Sequence, residues 1–440
     1  MRKSAVLLAA ALLVLAAACK TTDPDDGDAA SSTTATAGGD TGTTDTVAPI
    51  VDDRAPGVTD DTLKVGVTYP DFEALGDAVN INHGDYEGAY QAVADDINAR
   101  GGIHGRQLEL SFAPVDPSSP TSTDDTCTQL TQDDQVFVAI GLFYGESVLC
   151  YVNVNETAVI GGEMTDERLA QARAPWFAYD VSSDSQVDGV QTLIDNGDLT
   201  TDQSLAVLYT DVDQTLYEDR IQPVLEDAGI DVVETAAADS SLDPDQVAAE
   251  AQTIFQRFEA SDADTVLALG SGTAAVVSEG LEGSDYSPQV AFNSTNAVNA
   301  YARDTTHDAS VFEGAVGVGV YGPPDAYLEL GGITETCLDV TRDAGLEIVP
   351  PSQVGEGEPN QIVSSLAACQ QLALLSAILD GAGEDLNYGT FQTAGYNLGD
   401  IELPGEPEPF HYGPPPSTDG DRPLFRYEFD IDTRQFEPAS

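Results

Sequence analysis

Apolar and polar positions alternate most clearly at the start of the folded part of the chain, over residues 63–110. Residues 63–68 are mostly apolar or β-branched and predict a strand buried on both faces. Apolar residues then recur at intervals of three and four between Tyr86 and Ile97, which predicts a helix with Asp85 at its N-terminal end. Residues 107–112 alternate as a second strand, so the segment predicts a right-handed βαβ unit in a parallel sheet. Ligands bind beyond the carboxyl ends of such strands, which makes loop 69–84 the first candidate binding loop.

The same alternation of strands and helices continues to the C-terminus. The pattern predicts strands at 136–140, 158–160, 205–209, 232–236, 265–269, 289–292 and 312–320, and helices at 124–132, 148–154, 186–194, 218–228, 245–258, 274–281 and 362–378. Residues 210–217 are predicted to form a loop. Residues 176–181 are expected to cross into a second lobe, and strand 312–320 to return to the first. Alternation around residues 425–431 predicts a terminal hairpin. Two half-chains of β-α repeats indicate a hinged two-lobed α/β protein that closes around a ligand.

The N-terminus has the features of an export signal. Arg2 and Lys3 precede an apolar run at residues 5–18, which is too short to span a membrane and ends in small residues before Cys19. This ending resembles a bacterial lipobox, although Ala16 replaces the usual leucine. We therefore expect residues 1–18 to be a lipoprotein signal peptide, with a lipid on Cys19; an ordinary signal peptide is the alternative. Residues 19–59 are rich in small and polar types and are expected to be a disordered tether.

Net charge excludes one class of partner. The chain has 76 acidic and 16 basic residues and a formal net charge of −60, and such a surface repels nucleic acid. The acids are scattered rather than gathered in one tail, which suggests a solvated surface adapted to high salt. Apolar content of 41% is sufficient for a core.

Four of the five cysteines follow the export signal and are expected to form disulfides. Three pairings are possible, and the two local ones, Cys127–Cys150 and Cys337–Cys369, are favoured. A metal site is the alternative, but C-x-x-C is absent from the sequence and the histidines lie far apart. We expect neither a metal nor a cofactor.

Three segments together resemble a known family. INHGDYEGAYQAVADDINARGGIHGRQLEL, VFVAIGLFYGESVLCYV and AVIGGEMT are similar to the substrate-binding lipoproteins of branched-chain-amino-acid-type ABC importers, which are type I periplasmic-binding proteins related to the leucine/isoleucine/valine-binding protein. The resemblance covers residue 58 to the C-terminus. It implies an α/β fold of two lobes, each a mostly parallel sheet flanked by helices, joined by several crossovers. We expect the first lobe at 60–181, the second at 182–310, a return to the first at 311–400, and a C-terminal hairpin of the second lobe or hinge at 401–440. It also supports the Cys127–Cys150 pairing.

The resemblance implies a ligand between the lobes. Ser147 and Thr165 are expected to donate hydroxyls to a carboxylate, while Glu163 departs from the small residue usual in the family and would pair an ammonium or block a carboxylate. The full set of expected ligand-binding residues is Tyr69, Asp71, Phe72, Gly145, Glu146, Ser147, Glu163, Met164, Thr165, Tyr209, Tyr217, Ser271 and Asn293. Simpler roles stay open: N-caps for Ser147 and Thr165, packing for the tyrosines, and solvated surface for the acids.

The resulting hypothesis is a monomeric, lipid-anchored solute-binding protein on the outer face of the cytoplasmic membrane. It would capture a small polar solute, an amino acid or related amide, and deliver it to an ABC permease without performing chemistry. A ligand-sensing lipoprotein for a membrane receptor is the alternative. A lipid-anchored hydrolase is less favoured, because Ser271 lies in LGSGT, which lacks the G-x-S-x-G spacing. The G-x-G-x-x-G match at 317–322 runs into Pro323 rather than a helix and is rejected as a nucleotide motif.

Overall fold

Strands and helices alternate along the chain in the computed structural model of the protein. The structure describes residues 53–72, 82–116, 119, 121–179, 183–239, 244–270, 272–303, 308–319, 331–350, 353–355, 358–415, 417–420 and 424–439. Every described residue belongs to one compact unit, Thr46–Ser440. The predicted signal peptide, most of the predicted tether, Cys19 and Ser271 lie outside the described residues.

The strands of the described residues occur in chain order as follows. They are β1 (Thr62–Pro70), β2 (Gln107–Val115), β3 (Val138–Gly141), β4 (Ala158–Gly161), β5 (Trp176–Phe177), β6 (Leu205–Thr210), β7 (Val232–Ala238), β8 (Thr265–Ala268), β9 (Gln289–Phe292), β10 (Val316–Gly319), β11 (Gly399–Ile401), β12 (Phe410–Tyr412), β13 (Phe425–Asp430) and β14 (Gln435–Pro438).

The α-helices lie mostly between these strands. They are α1 (Tyr86–Ala99), α2 (Ser122–Thr128), α3 (Asp166–Gln171), α4 (Ser183–Asp195), α5 (Gln214–Leu216), α6 (Gln222–Asp227), α7 (Pro244–Ala260), α8 (Thr273–Leu281), α9 (Asn296–Arg303), α10 (Gly332–Asp343), α11 (Gln361–Ala382) and α12 (Tyr388–Tyr396). Tighter 3₁₀ turns occur at Gly145–Ser147, Asp211–Asp213 and Ala309–Phe312, and wider π turns at Gln129–Asp133, Cys150–Val154 and Tyr217–Ile221.

The opening βαβ unit forms as predicted. Strand β1 pairs in parallel with β2 on one side and β3 on the other, in a sheet of order β2-β1-β3-β4-β5. The Asp85 side chain caps α1 by accepting from the backbone N–H of Gly88. The residues of α1 at helical spacing are buried against the sheet: Ala89, Tyr90, Val93, Ala94 and Ile97. The apolar residues that recur at the helical period and those that recur at the strand period are therefore buried in the same core.

The second lobe is built on a larger sheet of order β14-β13-β10-β9-β8-β6-β7. Strands β7, β6, β8, β9 and β10 run in parallel, while β13 pairs antiparallel with β10 and with β14. The predicted C-terminal hairpin is therefore confirmed as the edge of this sheet. Together with the first sheet, it confirms an α/β fold of mostly parallel sheets flanked by helices.

One predicted strand belongs to the other lobe. The prediction that 312–320 returns to the first lobe is wrong, because Val316 pairs with Ala291 of β9 and with Glu428 of β13 in the second sheet. All four residues of β10 are buried, and an entirely buried strand fits the centre of either sheet equally well by its pattern. Gly317 and Gly319 lie within this strand, and the rest of the G-x-G-x-x-G match, from residue 320 onward, lies outside the described residues.

The chain contributes to the first lobe again through α10, α11 and α12. Cys369, Leu372 and Leu375 of α11 pack in one core with the residues of α1 and the first sheet. Helix α11 is the one described helix long and apolar enough to cross a membrane, and 72% of its most apolar window is buried inside the protein. Phe410 and Tyr412 of β12 join the same core, so part of the segment expected in the second lobe or hinge packs with the first.

Disulfides join Cys127 to Cys150 and Cys337 to Cys369. These are the two local pairings that the sequence analysis favoured. The first links α2 to the turn after the predicted binding loop, and the second links α10 to α11. Both bonds fit the oxidising environment that an export signal implies.

Candidate functional site

Neighbouring strands of the first sheet end very close together. Gly141 at the end of β3 has a φ of +121°, and a Cβ at this position would lie 1.9 Å from the backbone oxygen of Thr68. At Gly161, the end of β4, a Cβ would lie 2.2 Å from the backbone oxygen of Gly141. Only glycine fits either position. The loops that follow β3 and β4 therefore leave the sheet side by side.

Arg168 links these two loops. Its Nε donates to Glu146 Oε1 over 2.7 Å, and its Nη1 donates to the backbone oxygen of Glu163 over 3.1 Å. The Thr165 hydroxyl oxygen accepts from the backbone N–H of Arg168, so Thr165 is the N-cap of α3. An N-cap oxygen can still donate its own hydrogen to a ligand. The cation is therefore held at the point where the two predicted binding loops meet.

The segment after β6 supplies a carboxylate from the second lobe. Its residues were predicted to form a loop, but they are helical from Asp211 onward. The Thr210 hydroxyl donates to Asp213 Oδ2 over 2.6 Å. Burial raises the pKa of Asp213 above its ordinary value, while the Thr210 hydrogen bond and the Arg168 charge lower it. The carboxylate of Asp213 and the guanidinium of Arg168 line the same cavity from opposite lobes.

Asn293 organises the base of the second-lobe site. Its Oδ1 accepts from the backbone N–H of Gly270 over 2.9 Å, and its Nδ2 donates to the backbone oxygen of Gln186 over 3.2 Å. Asn293 is buried, so both ends of its amide are used within the protein. The predicted contact residue therefore ties the end of β8 to the start of α4.

A cavity of about 450 Å³ lies between residues of both lobes. Of the predicted site residues, Glu146, Glu163 and Thr165 line it. The remaining lining residues are Glu167, Arg168, Gln171, Gln186, Val212, Asp213, Thr215, Leu216, Asp219 and Arg220. The cavity is thus bounded by the loops after β3 and β4, by the start of α4 and by the helical segment after β6.

Other predicted site residues pack nearby without lining this cavity. Tyr209 and Tyr217 are stacked, with ring centroids 4.8 Å apart, in the core of the second lobe. Met164 is buried and its sulfur accepts from the Thr418 hydroxyl. Gly145 and Ser147 form the 3₁₀ turn that carries Glu146. Tyr209 and Tyr217 therefore pack in the core of the second lobe and Met164 in a core of the first.

The predicted aromatic residues lie at a second cavity, of about 520 Å³, within the first lobe. Tyr69, Asp71 and Phe72 line it together with residues of α1 and α11. Tyr69 stacks on Tyr86 with ring centroids 5.5 Å apart and donates to Glu87 Oε1 over 2.5 Å. The described residues that line this cavity belong to the first lobe.

His83 shares a hydrogen bond with the Tyr86 hydroxyl over 2.8 Å. Burial lowers the pKa of His83 to about 4, so its imidazole is neutral at neutral pH.

Among the residues that the structure describes, no group of three or more His, Cys, Asp or Glu side chains is placed to hold a metal ion.

Ten of the lining residues were not predicted from the sequence, and Arg168 and Gln186 are two of them. Arg168 is one of only 16 basic residues in the chain, and it follows Thr165 by three positions. A rare cation just beyond a predicted binding loop was the available signal. Gln186 lies at helical spacing from Val190 and Leu193, which are both buried in the second lobe, so a polar residue on the buried face of a helix was the signal there.

The comparisons with known proteins agree with this architecture. Residues 62–327 match the family described as periplasmic binding protein. A solved ABC transporter substrate-binding protein from Desulfitobacterium hafniense in complex with Leu has a TM-score of 0.58 and 14% identity, covering 86% of this chain and 100% of that one. No curated protein matches the sequence.

Two further solved structures show the same fold with other ligands. The branched-chain amino acid transporter substrate-binding protein LivJ from Streptococcus pneumoniae, in complex with isoleucine, has a TM-score of 0.57 and 16% identity, covering 86% of this chain and 98% of that one. A solute-binding protein of an ABC transporter from Rhodopseudomonas palustris HaA2, in complex with p-hydroxybenzoic acid, has a TM-score of 0.59 and 15% identity, covering 86% and 96%.

Proposed function

The chain belongs to the periplasmic binding protein family, and we propose that it is the extracytoplasmic solute-binding component of an ABC-type importer. The observation that carries this proposal is the cavity of about 450 Å³ that residues of both lobes line together. Its volume suits a small molecule. Most lining residues on both sides are polar or charged, with Val212 and Leu216 as the apolar ones, so the site is suited to a polar solute.

The mechanism is closure of the two lobes around the solute. The solute first meets the first-lobe groups at Thr165 and Arg168, and the segment carrying Asp213 then closes over it. A solute favours closure only by binding the closed form more tightly than the open form. Since the cavity has walls from both lobes, a bound solute gains its second set of contacts only on closure. The permease then recognises the closed form, and the solute undergoes no reaction.

The solute is an amino acid or a related amide. The structural neighbours with Leu and isoleucine show that this fold accommodates amino acids, and the one with p-hydroxybenzoic acid shows that the fold alone does not select them. Here the cavity presents the carboxylates of Glu146, Glu163 and Asp213 alongside Arg168. Acidic and basic groups in one cavity suit a solute with both an amino group and a carboxylate or amide oxygen.

The protein is anchored by a lipid on Cys19 and works as a monomer at the outer face of the cytoplasmic membrane. The tether at 19–59 would let the folded part reach a permease in the same membrane. Replacing Cys19 with Ser should move the protein from the membrane fraction to the soluble fraction. Retention of Cys19→Ser in the membrane fraction would contradict the anchor.

A ligand screen tests the binding function. Thermal unfolding of the full chain would be followed with amino acids, amides, polyamines and small organic acids, at low and high salt. A solute at a hundred times its Kd should add about 2.7 kcal/mol of stability. Thr165→Ala, combined with Ser147→Ala, should abolish the ligand-induced shift, whereas Thr253→Ala on α7 should leave it unchanged. A folded protein that responds to no solute would contradict the proposal.

A further inference from the structure

The chain passes from the first lobe to the second at two places that lie side by side. Phe177 of β5 pairs in the first sheet, whereas α4, which begins at Ser183, packs in the core of the second lobe. Near the C-terminus, Tyr412 packs in the core of the first lobe and Leu424 packs against the core of the second. The lobes therefore move relative to each other through the connection after β5 and the connection after β12.

Hydrogen bonds join these two connections on the first-lobe side. The backbone N–H of Ala178 donates to the backbone oxygen of Thr418 over 3.0 Å. The backbone oxygen of Ala178 accepts from the Tyr412 hydroxyl over 2.8 Å. All three residues are almost completely buried. The ends of the two connections thus form one packed unit within the first lobe.

The same unit contacts the loop after β4, which comprises residues 162–165. Trp176 Nε1 donates to the backbone oxygen of Gly161, directly before this loop, over 2.8 Å. The Thr418 hydroxyl donates to the sulfur of Met164, within the loop, over 3.2 Å. Each of the two connections therefore supplies one side-chain hydrogen bond that holds the loop.

Met164 links this unit to the cavity between the lobes. It is only 4% exposed and packs in one core with Ala178, while its neighbours Glu163 and Thr165 line the cavity. Arg168 depends on the same backbone, because its Nη1 donates to the backbone oxygen of Glu163 over 3.1 Å. Fixing Met164 therefore fixes the backbone that presents these groups to a solute.

The hydroxyl of Thr418 is not explained by stability. Thr418 is 0% exposed, and burying a hydroxyl is costly unless it is hydrogen-bonded. The thioether of Met164 is a weak acceptor, and valine would fill the same volume without a polar group to satisfy. A directional contact between the connection after β12 and the loop after β4 gives the hydroxyl a role that valine could not take.

We propose that Thr418 is a positioning residue for solute binding, whose hydroxyl holds the loop after β4 in its binding geometry through Met164. Thr418 itself is not among the described residues that line the cavity between the lobes. The contact ties the first-lobe groups that meet the solute to a connection through which the lobes close. This inference rests on the proposed solute-binding function.

Calorimetry with two variants of Thr418 tests the hydroxyl. Leucine and leucinamide are the first probes of the full chain; if neither binds, the compound of the ligand screen that raises the unfolding midpoint most replaces them. Thr418→Val keeps the shape of the side chain and should weaken binding about fivefold, which corresponds to one hydrogen bond. Thr418→Ser keeps the hydroxyl and should bind within about twofold of the parent.

Thr341→Val is the matched control. Thr341 is also 0% exposed, and its hydroxyl donates to the backbone oxygen of Leu338 within α10, outside the described cavity lining. This variant loses a buried hydroxyl of the first lobe as Thr418→Val does, and it should leave the affinity unchanged. An equal loss of affinity in both variants would overturn the positioning role.

A double-mutant cycle tests whether Met164 is the partner of Thr418. Met164→Leu removes the sulfur with little change in volume and should also weaken binding about fivefold. Combining Thr418→Val with Met164→Leu should cost no more than either change alone, because both remove the same contact. A combined loss of about twenty-five-fold would mean that the two residues act independently and would overturn the link.

Hydrogen exchange tests the loop without a solute. Followed by mass spectrometry, the backbone amides of residues 162–165 should exchange about fivefold faster in Thr418→Val than in the parent. The same amides should exchange at the parental rate in Thr418→Ser and in Thr341→Val. If Thr418→Val does not fold, Met164→Leu should show both the faster exchange and the weaker binding, and parental values for it would overturn the inference.

The possible failures are distinguishable. If a solute binds to Thr418→Val as tightly as to the parent, or to Thr418→Ser as weakly as to Thr418→Val, the positioning role is overturned and the binding function stands. Unchanged exchange of the loop in Thr418→Val would overturn the role whether or not a solute is found. If no probe binds to the folded protein, the proposed function fails, and the role of Thr418 in solute binding fails with it.

Discussion

Arg168 Nε donates to Glu146 Oε1 over 2.7 Å, which joins the helix after β4 to the turn after β3. Glu146 is 70% exposed on its side chain and Arg168 only 16%. The pair is therefore an exposed carboxylate held by a mostly buried cation. The cation lines the cavity between the lobes, as does Asp213 of the second lobe, whose pKa is raised by burial.

Arg168→Met should weaken solute binding while leaving the free energy of unfolding almost unchanged. Because the acidic partner is exposed, we expect the free energy of unfolding to change by less than about 1 kcal/mol. Affinity for solutes with a carboxylate should fall about tenfold, since a charge-assisted donor is lost, and affinity for polyamines should rise. Urea unfolding and calorimetry measure the two effects.

Arg342→Met is the matched control for Arg168. Arg342 forms an exposed pair with Asp339 on α10, outside the cavity lining. This variant should change neither affinity. Equal losses in both variants would mean that overall charge, rather than the position of Arg168, sets the affinity.

His83 should make stability depend on pH between about 6.5 and 4. Burial lowers its pKa from 6.5 to about 4, so the unfolded chain takes up the proton first as the pH falls. The stabilisation is complete above pH 6.5 and is lost towards pH 4, by roughly 3 kcal/mol. Urea unfolding of the parent and of His83→Gln at pH 7, 5.5 and 4 should show a difference that changes with pH.

His411→Gln is the control for replacing a histidine with Gln, because His411 is more than half exposed. A pH-dependent difference for His83→Gln that exceeds the one for His411→Gln assigns the effect to position 83. Parallel pH curves for the parent and His83→Gln would show that His83 is not held neutral by the fold.

Arg426 and Asp198 should contribute strongly to the stability of the second lobe. Arg426 donates from Nε and Nη2 to the two oxygens of Asp198 over 2.7 and 2.8 Å, and Asp198 is only 7% exposed. Arg426→Met leaves that carboxylate buried without its cation and should cost about 3 kcal/mol in urea unfolding.

Two further variants test whether the loss of stability in Arg426→Met comes from the buried carboxylate of Asp198. Arg100→Met breaks an exposed pair with Asp96 and should cost less than about 0.5 kcal/mol. Adding Asp198→Asn to Arg426→Met should recover part of the loss. A loss below about 1 kcal/mol for Arg426→Met alone would show that the carboxylate is solvated.

The Cys337–Cys369 bond should stabilise the first lobe through its unfolded state. It joins residues 32 positions apart, and closing a loop of that size lowers the entropy of the unfolded chain by about 3–4 kcal/mol at 25 °C. Replacing both cysteines with Ala should lower the free energy of unfolding by that amount while leaving solute affinity unchanged. A loss of affinity with unchanged stability would contradict this purely structural role.

Local sequence was sufficient for much of the fold. The cap at Asp85, the buried face of α1 from Ala89 to Ile97 and the strands on either side follow from short-range periodicity. The disulfide pairs are local as well, and the order of segments indicated the family. These features depend on interactions between residues near one another in the chain or on patterns that any parallel sheet imposes.

Local periodicity could not assign β10 to one of the two lobes. Its residues are all buried, and both sheets of this protein bury their central strands. Periodicity reports that a strand is buried but not which neighbours bury it. Pairing with Ala291 and Glu428, which are distant in sequence, decided the lobe.

Sequence alone determined the family, the two-lobed architecture and three residues of the cavity lining, Glu146, Glu163 and Thr165, since they follow the ends of predicted strands. Only the tertiary structure showed that Tyr217 packs in a core, and that Gln186 lines the cavity while its side-chain oxygen is buried without a partner. Whether a buried polar atom has a partner depends on groups brought together from distant parts of the chain, such as Gly270 and Asp213 around Gln186. The spacing of residues along a sequence does not show which distant groups the fold brings together.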